Sequence, residues 1–600
     1  MGRNRSPRRP AAGRHRGSRS PAPRETAPEI RYDGPAGWWA VAHPSQGTAA
    51  SPGRRQDVPA TQSRPASRRA LKLLRRHTRR TLRAIDTLLA QARQAPGASR
   101  RPAPSPRQDV RRARRLLAYY IGPSDDIIYR PFDFGELCGL VAYADGVVDP
   151  KFVSEAVLEP LQRLAAARAA ARTATGGAAG TPRSDGHGPD GPAGGDLGRT
   201  LRQAITIATE VRRTRSYRQA AQAVIEGKAV LVVAGVPDIL TFGAEGWPKR
   251  SPDEPESERT IRGPREGLVE TLSDNLALMR RWIRDPSLRV RKLKVGKRTR
   301  TPVAMLYIEN MAPQALVDEV WERLQSIDAE GVIESGYVEE YLAGRKGSLF
   351  PLVQATERTD KIASALLEGR VVVLVDRSPF GLFVPTSLNE LYQSPDDYYV
   401  NFWQGTAVRL LRVIGLFISL AMPALYITLV GFHPELIPTK LALAIAGIRQ
   451  GTPMPAAVEL VVMELLFELF REGGLRLPAA VGQTVGIAGG VVLGTAAAQA
   501  GFVSGIVIVV TAGTAIASFA IPNYFLGLTW RILKFGLIGL SAIFGLTGLI
   551  AGLLLIAAHL SALESAGVPY MTPFGPLHPR RLINVAVRPP HWDKGTTERP

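Results

Sequence analysis

Six hundred residues at 45% hydrophobic content can bury several cores, which excludes a wholly disordered chain. The formal net charge of +23 suggests a nucleic-acid binder until it is located: residues 1–115 hold 28 Lys+Arg against 6 Asp+Glu, and the rest of the chain holds 48 against 47. The basicity belongs to one end, so no nucleic-acid partner is expected for the folded part, and the lone Cys138 excludes an intramolecular disulfide or a cysteine metal cluster.

Residues 1–115 are rich in Arg, Pro, Ser and Ala and read as a disordered basic tail. One stretch, "RRALKLLRRHTRRTLRAIDTLLAQ", places Leu71, Leu74, Leu82, Ile85 and Leu89 near one helical face. A basic amphipathic helix of this kind suits an anionic lipid surface, and a solvated, transiently helical tail fits the composition equally. Arg-rich, acid-poor N-termini also resemble organelle transit peptides, but no apolar h-region marks a secretory signal.

Residues 116–245 and 256–400 read as two related α/β modules in tandem. "AQAVIEGKAVLVVAGVPDILTF" (Ala221–Phe242) aligns without gaps on "ASALLEGRVVVLVDRSPFGLFV" (Ala363–Val384), with 8 of 22 positions identical. Each copy predicts a helix stopped at Gly227 or Gly369, then a β-branched strand, a tight turn and a second strand. Upstream, "YADGVVDPKFVSEAVLEPL" echoes "YIENMAPQALVDEVWERL" at a larger offset, and the Gly/Pro/Ala run 175–196 in the first module, read as a flexible insertion, accounts for the difference.

Where the second module begins stands "ERTIRGPREGLVETLSDNLALMRRWIRDPSL" (Glu258–Leu288). Val269, Leu272, Leu276, Met279 and Ile283 recur at spacings of 3 and 4, which predicts a helix surrounded by arginines. Gly263 and Pro264 could open an anion-binding helix N-terminus, although one Gly-Pro turn carries little by itself. Arg280, Arg281 and Arg284 are read as forming salt bridges or contacting a neighbouring subunit. Residues 116–400 contain no GxxxxGK[ST], HExxH, CxxC or nucleophile elbow, and His187 is their only histidine. No catalytic, metal-binding or cofactor-binding residue is therefore assigned, no cofactor is expected, and an enzyme is not.

Residues 405–563 change character. Val413–Phe432 and Phe535–Ala558 are charge-free, and Leu477–Trp530 runs 54 residues without Asp, Glu, Lys or Arg. A span needs ~20 residues to cross ~30 Å of hydrocarbon, so four spans are predicted, two of them in the long run. Arg409, Arg412, Arg580, Arg581 and Arg588 flank the first and last spans and place both ends in the cytoplasm. Arg531 and Lys534 then fall on the wrong side. Between the first two spans, "PAAVELVVMELLFELFREGGLRLP" carries Glu464, Glu468 and Glu472 four residues apart, with Glu459 about 140° from Glu464 around the helix. Glu459, Glu464 and Glu468 are candidates for an ion route; the competing assignment is an interfacial helix with its carboxylates in water. Residues 564–600 are a C-terminal cytoplasmic tail.

Five ordered motifs, "SERTIRGPREGLVETLSDNLALMRR", "TERTDKIASALLEGRVVVLVDRSPFGLFVP", "SPDDYY", "RLLRVIGLFISLAMPALYITL" and "ELLFELFREGGLRLP", make the chain resemble the A-subunit family of bacterial spore germination receptors, the GerA type, which includes SpoVAF-like paralogues. The resemblance spans about Ile121 to Arg588. It departs from the pattern in the long basic tail, the 175–196 insertion, and at Thr359 and Arg377, where Pro and Gly are expected. It implies an integral protein of the spore inner membrane with its N-terminal domain on the cytoplasmic, spore-core side. It also implies a transporter-like B subunit and a lipoprotein C subunit as partners, besides membrane lipid. Homo-oligomers whose membrane segments conduct monovalent cations would follow, with a non-conducting scaffold or signal-relay subunit as the alternative. On that basis Arg262, Gly263, Pro264, Arg265, Glu266, Arg280 and Arg281 would be a junction and subunit-contact motif, with plain intrachain structure as the alternative.

Overall fold

The computed structural model describes residues 106–135, 137–175, 211–244, 254–255, 258–345, 347–476 and 499–588. The basic amphipathic stretch, nearly all of the Gly/Pro/Ala insertion and the predicted span at 479–500 lie outside these residues, apart from the span's last two.

The first half of the head is a five-stranded antiparallel sheet in the order β1-β2-β4-β5-β3, built from β1 (Ile127–Asp133), β2 (Cys138–Ala144), β3 (Val211–Thr214), β4 (Lys228–Val233) and β5 (Ile239–Gly243). Strand side chains alternate in direction. Leu140, Ala142 and Val230 therefore pack against α1 (Pro106–Ile121) and α3 (Tyr217–Ile225), while Val141, Tyr143 and Leu231 pack on the opposite face. That second face is covered by α2 (Glu159–Thr175), entered through a π-helical turn Val153–Leu158. Helices on both faces explain why every residue of β2 is buried.

The second half repeats this order. Strands β6 (Leu288–Val295), β7 (Thr301–Ile308), β8 (Gln354–Thr356), β9 (Val371–Val375) and β10 (Gly381–Val384) form an antiparallel sheet β6-β7-β9-β10-β8. Val372 and Leu374 face α4 (Leu272–Trp282) and α7 (Thr359–Leu367). Val371, Val373 and Val375 face α5 (Gln314–Gln325) and α6 (Ser335–Leu342). The glycines aligned in the two copies both stop a helix with positive φ, 92° at Gly227 and 83° at Gly369, and each precedes an antiparallel strand pair. At Gly369 a Cβ would also stand 2.5 Å from the Met311 carbonyl oxygen.

Two short helices, α8 (Leu388–Leu391) and α9 (Asp396–Tyr399), lead into the helical half. Among the described residues, two helices are long and apolar enough to cross a membrane: α10 (Phe402–Ile427, continuing to Phe432) and α14 (Tyr524–Ser561). Between them lie α11 (Thr439–Arg449), α12 (Ala456–Arg476) and α13 (Gly505–Ser518). A β-hairpin, Glu564–Ser565 with Val568–Pro569, and α15 (Pro579–Ala586) close the described chain. Trp530 donates to the Leu416 carbonyl at 2.9 Å, and a core that includes Phe350, Leu352 and Tyr570 joins head to helices.

These helices differ from the charge-free runs in the sequence. α10 begins 11 residues before Val413 and takes in Arg409 and Arg412; α14 begins 11 residues before Phe535 and takes in Arg531 and Lys534. Charged residues extend these helices because each finds a carboxylate partner, buried for Arg409, Arg412 and Lys534 and half-buried for Arg531. α14 also bends at Gly545 (φ 59°, ψ −133°), where the Phe432 ring lies so close that a Cβ would meet it at 2.7 Å. The apolar helix after Ser504 is only 14 residues long, shorter than the ~20 of a straight span.

Buried charges linking head and helices

The arginine-rich stretch turns inward. Arg280, on the last turn of α4, gives Nε to Asp126 Oδ2 at 2.7 Å and Nη2 to Asp126 Oδ1 at 2.9 Å, and both side chains are 1% exposed. Asp126 belongs to the loop before β1, so this bidentate pair crosses from one sheet unit to the other. Burial works against ionising Asp126, but the Arg280 guanidinium outweighs it and holds the carboxyl below its ordinary range. The same seam carries Lys292 on Asp145 at 2.8 Å, the Ser124 hydroxyl accepting the Val290 N–H, and the Asp125 carboxylate accepting the Lys292 N–H. Arg280 is thus enclosed within the chain, where it makes an intrachain ion pair.

The Gly-Pro loop preceding α4 is held from two directions. Arg358, 1% exposed, donates to Asp360, to Thr260 Oγ1 at 2.9 Å, and to the carbonyls of Glu258 and Pro264 at 3.2 and 3.1 Å. From the other side Asp396 accepts the Ile261 and Arg262 N–H groups at 3.2 and 3.4 Å. Gly263 has φ 129°, and a Cβ there would come 2.6 Å from the Tyr399 ring, whose hydroxyl bonds Asp360. The loop is therefore a strap docked on "SPDDYY", and it does not open an anion-binding helix. Arg265 reaches Glu254 and Arg281 reaches Glu266, both at 3.1 Å with the arginines largely exposed, and the Glu266 carbonyl accepts the Thr359 hydroxyl at 2.9 Å. Gly263→Ala combines positive φ with a ring clash. We expect it to lower the melting temperature of the purified protein and expose the strap to protease, whereas Arg265→Ala leaves both unchanged.

Asp397, next to the strap's anchor Asp396, is the junction between head and helices. It is 1% exposed and accepts from Arg412 at 2.8 and 3.2 Å and from Arg409 at 3.4 Å. Arg588, from beyond α15, donates to the Tyr398 carbonyl at 2.9 Å and also to the Val400 carbonyl. Arg409, Arg412 and Arg588, which the sequence suggested as membrane-flanking surface charges, are all buried. The four residues of α9 thus touch the strap, the second sheet unit, α10 and Arg588.

Inside the helical half, α12 forms as the sequence predicts, but Glu459 and Glu464 are buried, which corrects the interfacial assignment that put the carboxylates in water. Lys534 of α14 places Nζ 2.5 Å from Glu464 Oε2 and 3.4 Å from Glu468 Oε1. Arg471 and Arg531 each stand 3.8 Å from Glu468, and Arg471 also donates to Ser518 of α13 at 3.1 Å. Glu459 accepts the Ser504 N–H and lies 3.9 Å from Arg449. Beside this cluster is a cleft of about 310 Å³ between α12 and α14, lined by Leu465, Glu468, Arg471, Tyr524, Arg531 and Phe535 among others. No group of three or more His, Cys, Asp or Glu able to hold a metal ion occurs among the described residues.

The sequence picked out Glu459, Glu464, Glu468 and the strap, and missed Asp126, Arg358, Asp397 and the pairing role of Lys534. The misplaced Arg531 and Lys534 were the available signal: cations in an apolar run call for nearby carboxylates.

The head of two helix-flanked sheets is thus tied by buried ion pairs to two helices long and apolar enough to cross a membrane. The sequence model of the Bacillus/Clostridium GerA spore germination protein family matches residues 115–600. The chain belongs to that family. It is 36% identical to spore germination protein KA of Bacillus subtilis over 79% of this chain and 83% of that one. It is 42% identical to spore germination protein A1 of the same organism over 61% and 76%. The uncharacterized membrane protein YfkQ, also of B. subtilis, is 36% identical over 78% and 86%. Among solved structures, the N-terminal domain of the A subunit of the Bacillus megaterium germinant receptor GerK3 matches 45% of this chain and 92% of its own length at 27% identity, with a TM-score of 0.33.

Proposed function

We propose that this chain is the A subunit of a spore germinant receptor whose membrane helices pass monovalent cations when nutrient is sensed. Family membership supports the receptor role. The observation that carries conduction is a buried Glu464–Lys534 ion pair between apolar helix faces, continued by the half-buried Glu468, Arg471 and Arg531. Ionised groups are costly in hydrocarbon and concentrate where a route for ions or protons needs them. The shared strand order and paired glycine stops support a head made of two related modules. A homo-oligomer in the spore inner membrane, head on the core side, acting with a transporter-like B subunit and a lipoprotein C subunit, completes the proposal.

A scaffold or signal-relay subunit is favoured by a different observation: Glu459, Glu464 and Glu468 each have a basic group within 4 Å, so the stripe can be purely structural. Potassium efflux from liposomes carrying the receptor separates the two. Conduction predicts nutrient-triggered efflux that falls at least tenfold in Glu468→Gln with oligomer yield unchanged. Equal efflux in that variant removes Glu468 from the route. Absence of efflux from a complex that still supports germination establishes the scaffold.

A further inference from the structure

Among the described residues, Lys534 is the one base that forms ion pairs with both Glu464 and Glu468. Glu468 also has Arg471 and Arg531 at 3.8 Å, whereas the single ion pair of Glu464 is with Lys534. The second carboxylate oxygen of Glu464 is buried and has no hydrogen-bond partner. Buried polar groups are almost always satisfied, so the unpaired buried oxygen of Glu464 points to a partner that is not a protein side chain. The Glu464 and Glu468 carboxylates make an oxygen-only donor set, of the kind hard cations take.

We propose that Lys534 is a tethered cation in a monovalent-cation site formed by Glu464 and Glu468, and that its ammonium keeps the ion route closed. This rests on the conduction proposed above. While Nζ sits 2.5 Å from Glu464, a free cation and the lysine compete for the same carboxylate. Withdrawal of α14 from α12 carries the ammonium away and leaves Glu464 with a site for potassium or sodium. A lysine suits this role better than an arginine, because its compact ammonium resembles a bare cation more closely than a planar fork does.

The test uses the full-length receptor with Lys534→Met and, against misfolding, the exchange pair Glu464→Lys with Lys534→Glu. Without nutrient, Lys534→Met is expected to raise potassium efflux from liposomes at least tenfold, and the exchange pair to return it near the unmodified rate. In detergent, potassium chloride is expected to raise the melting temperature of Lys534→Met by about 2 °C or more over choline chloride, with no such difference in the unmodified protein. Potassium-dependent stabilisation with no efflux from any form keeps the cation site and overturns the conduction proposal. Nutrient-triggered efflux in the unmodified protein, with Lys534→Met neither leaking nor stabilised by potassium, overturns the tethered cation. If Lys534→Met does not fold, an exchange pair that folds and leaks without nutrient overturns it as well.

Discussion

Arg280→Ala is expected to destabilise the head by roughly 3–5 kcal/mol, the range for removing one partner of a buried ion pair. The change strands the Asp126 carboxylate, 1% exposed, at the seam between the two sheet units. Arg280→Lys should fall between, because an ammonium cannot reproduce two parallel N–H bonds to one carboxylate. Hydrogen exchange on the purified full-length protein would read the effect as lost protection in the loop before β1 and along β6. A double-mutant cycle with Asp126→Asn tests the pairing: the two single effects must fail to add. The pH dependence has a definite sign. Because the folded Asp126 carboxyl titrates below its ordinary value, the pair's contribution is complete above about pH 4. It is lost as the pH falls through the folded pKa, since the unfolded chain then binds more protons. Unchanged protection in Arg280→Ala, or additive single effects, would show that the two units are held together by other contacts.

The sequence displayed what repeats and what is locally periodic. The copies around Gly227 and Gly369 aligned because each fixes a helix end with a left-handed glycine, and that requirement is written in single residues. The helix bearing Glu459, Glu464 and Glu468 was visible for the same reason. Partners far apart in the chain were not visible. Asp126 and Arg280 are 154 residues apart, Glu464 and Lys534 are 70 apart, and nothing local in either stretch announces the other. Arg409 and Arg412 misled differently: arginines at the edge of an apolar run usually mark a water-exposed flank. Here Asp397, 12 and 15 residues earlier, folds back on them and takes them into the interior. Only the three-dimensional neighbourhood distinguishes a flank charge from a buried clasp.

That clasp should matter most for passing movement between head and helices. Asp397→Ala removes the carboxylate lying between Arg409 and Arg412, and the expected loss is again roughly 3–5 kcal/mol, local to the joint. Asp396→Ala, one residue away, gives up only the bonds to the Ile261 and Arg262 N–H groups, about 1 kcal/mol each. The two carboxylates therefore separate two functions of one short helix: Asp396 fastens the strap to the head, and Asp397 fastens the head to α10. In spores, Asp397→Ala should abolish the response to nutrient while the protein still accumulates in the membrane fraction, and proteolysis should gain a site near Val400. Asp397→Glu, which keeps the charge but lengthens the arm, should recover part of the response. Arg412→Ala should resemble Asp397→Ala, because Arg412 makes the shorter contacts, at 2.8 and 3.2 Å against 3.4 Å for Arg409. A normal nutrient response in Asp397→Ala would mean that the apolar contact of Phe350 and Leu352 with Trp530 and Tyr570 is enough to move the helices, and that the buried arginines serve only to hold the joint in shape.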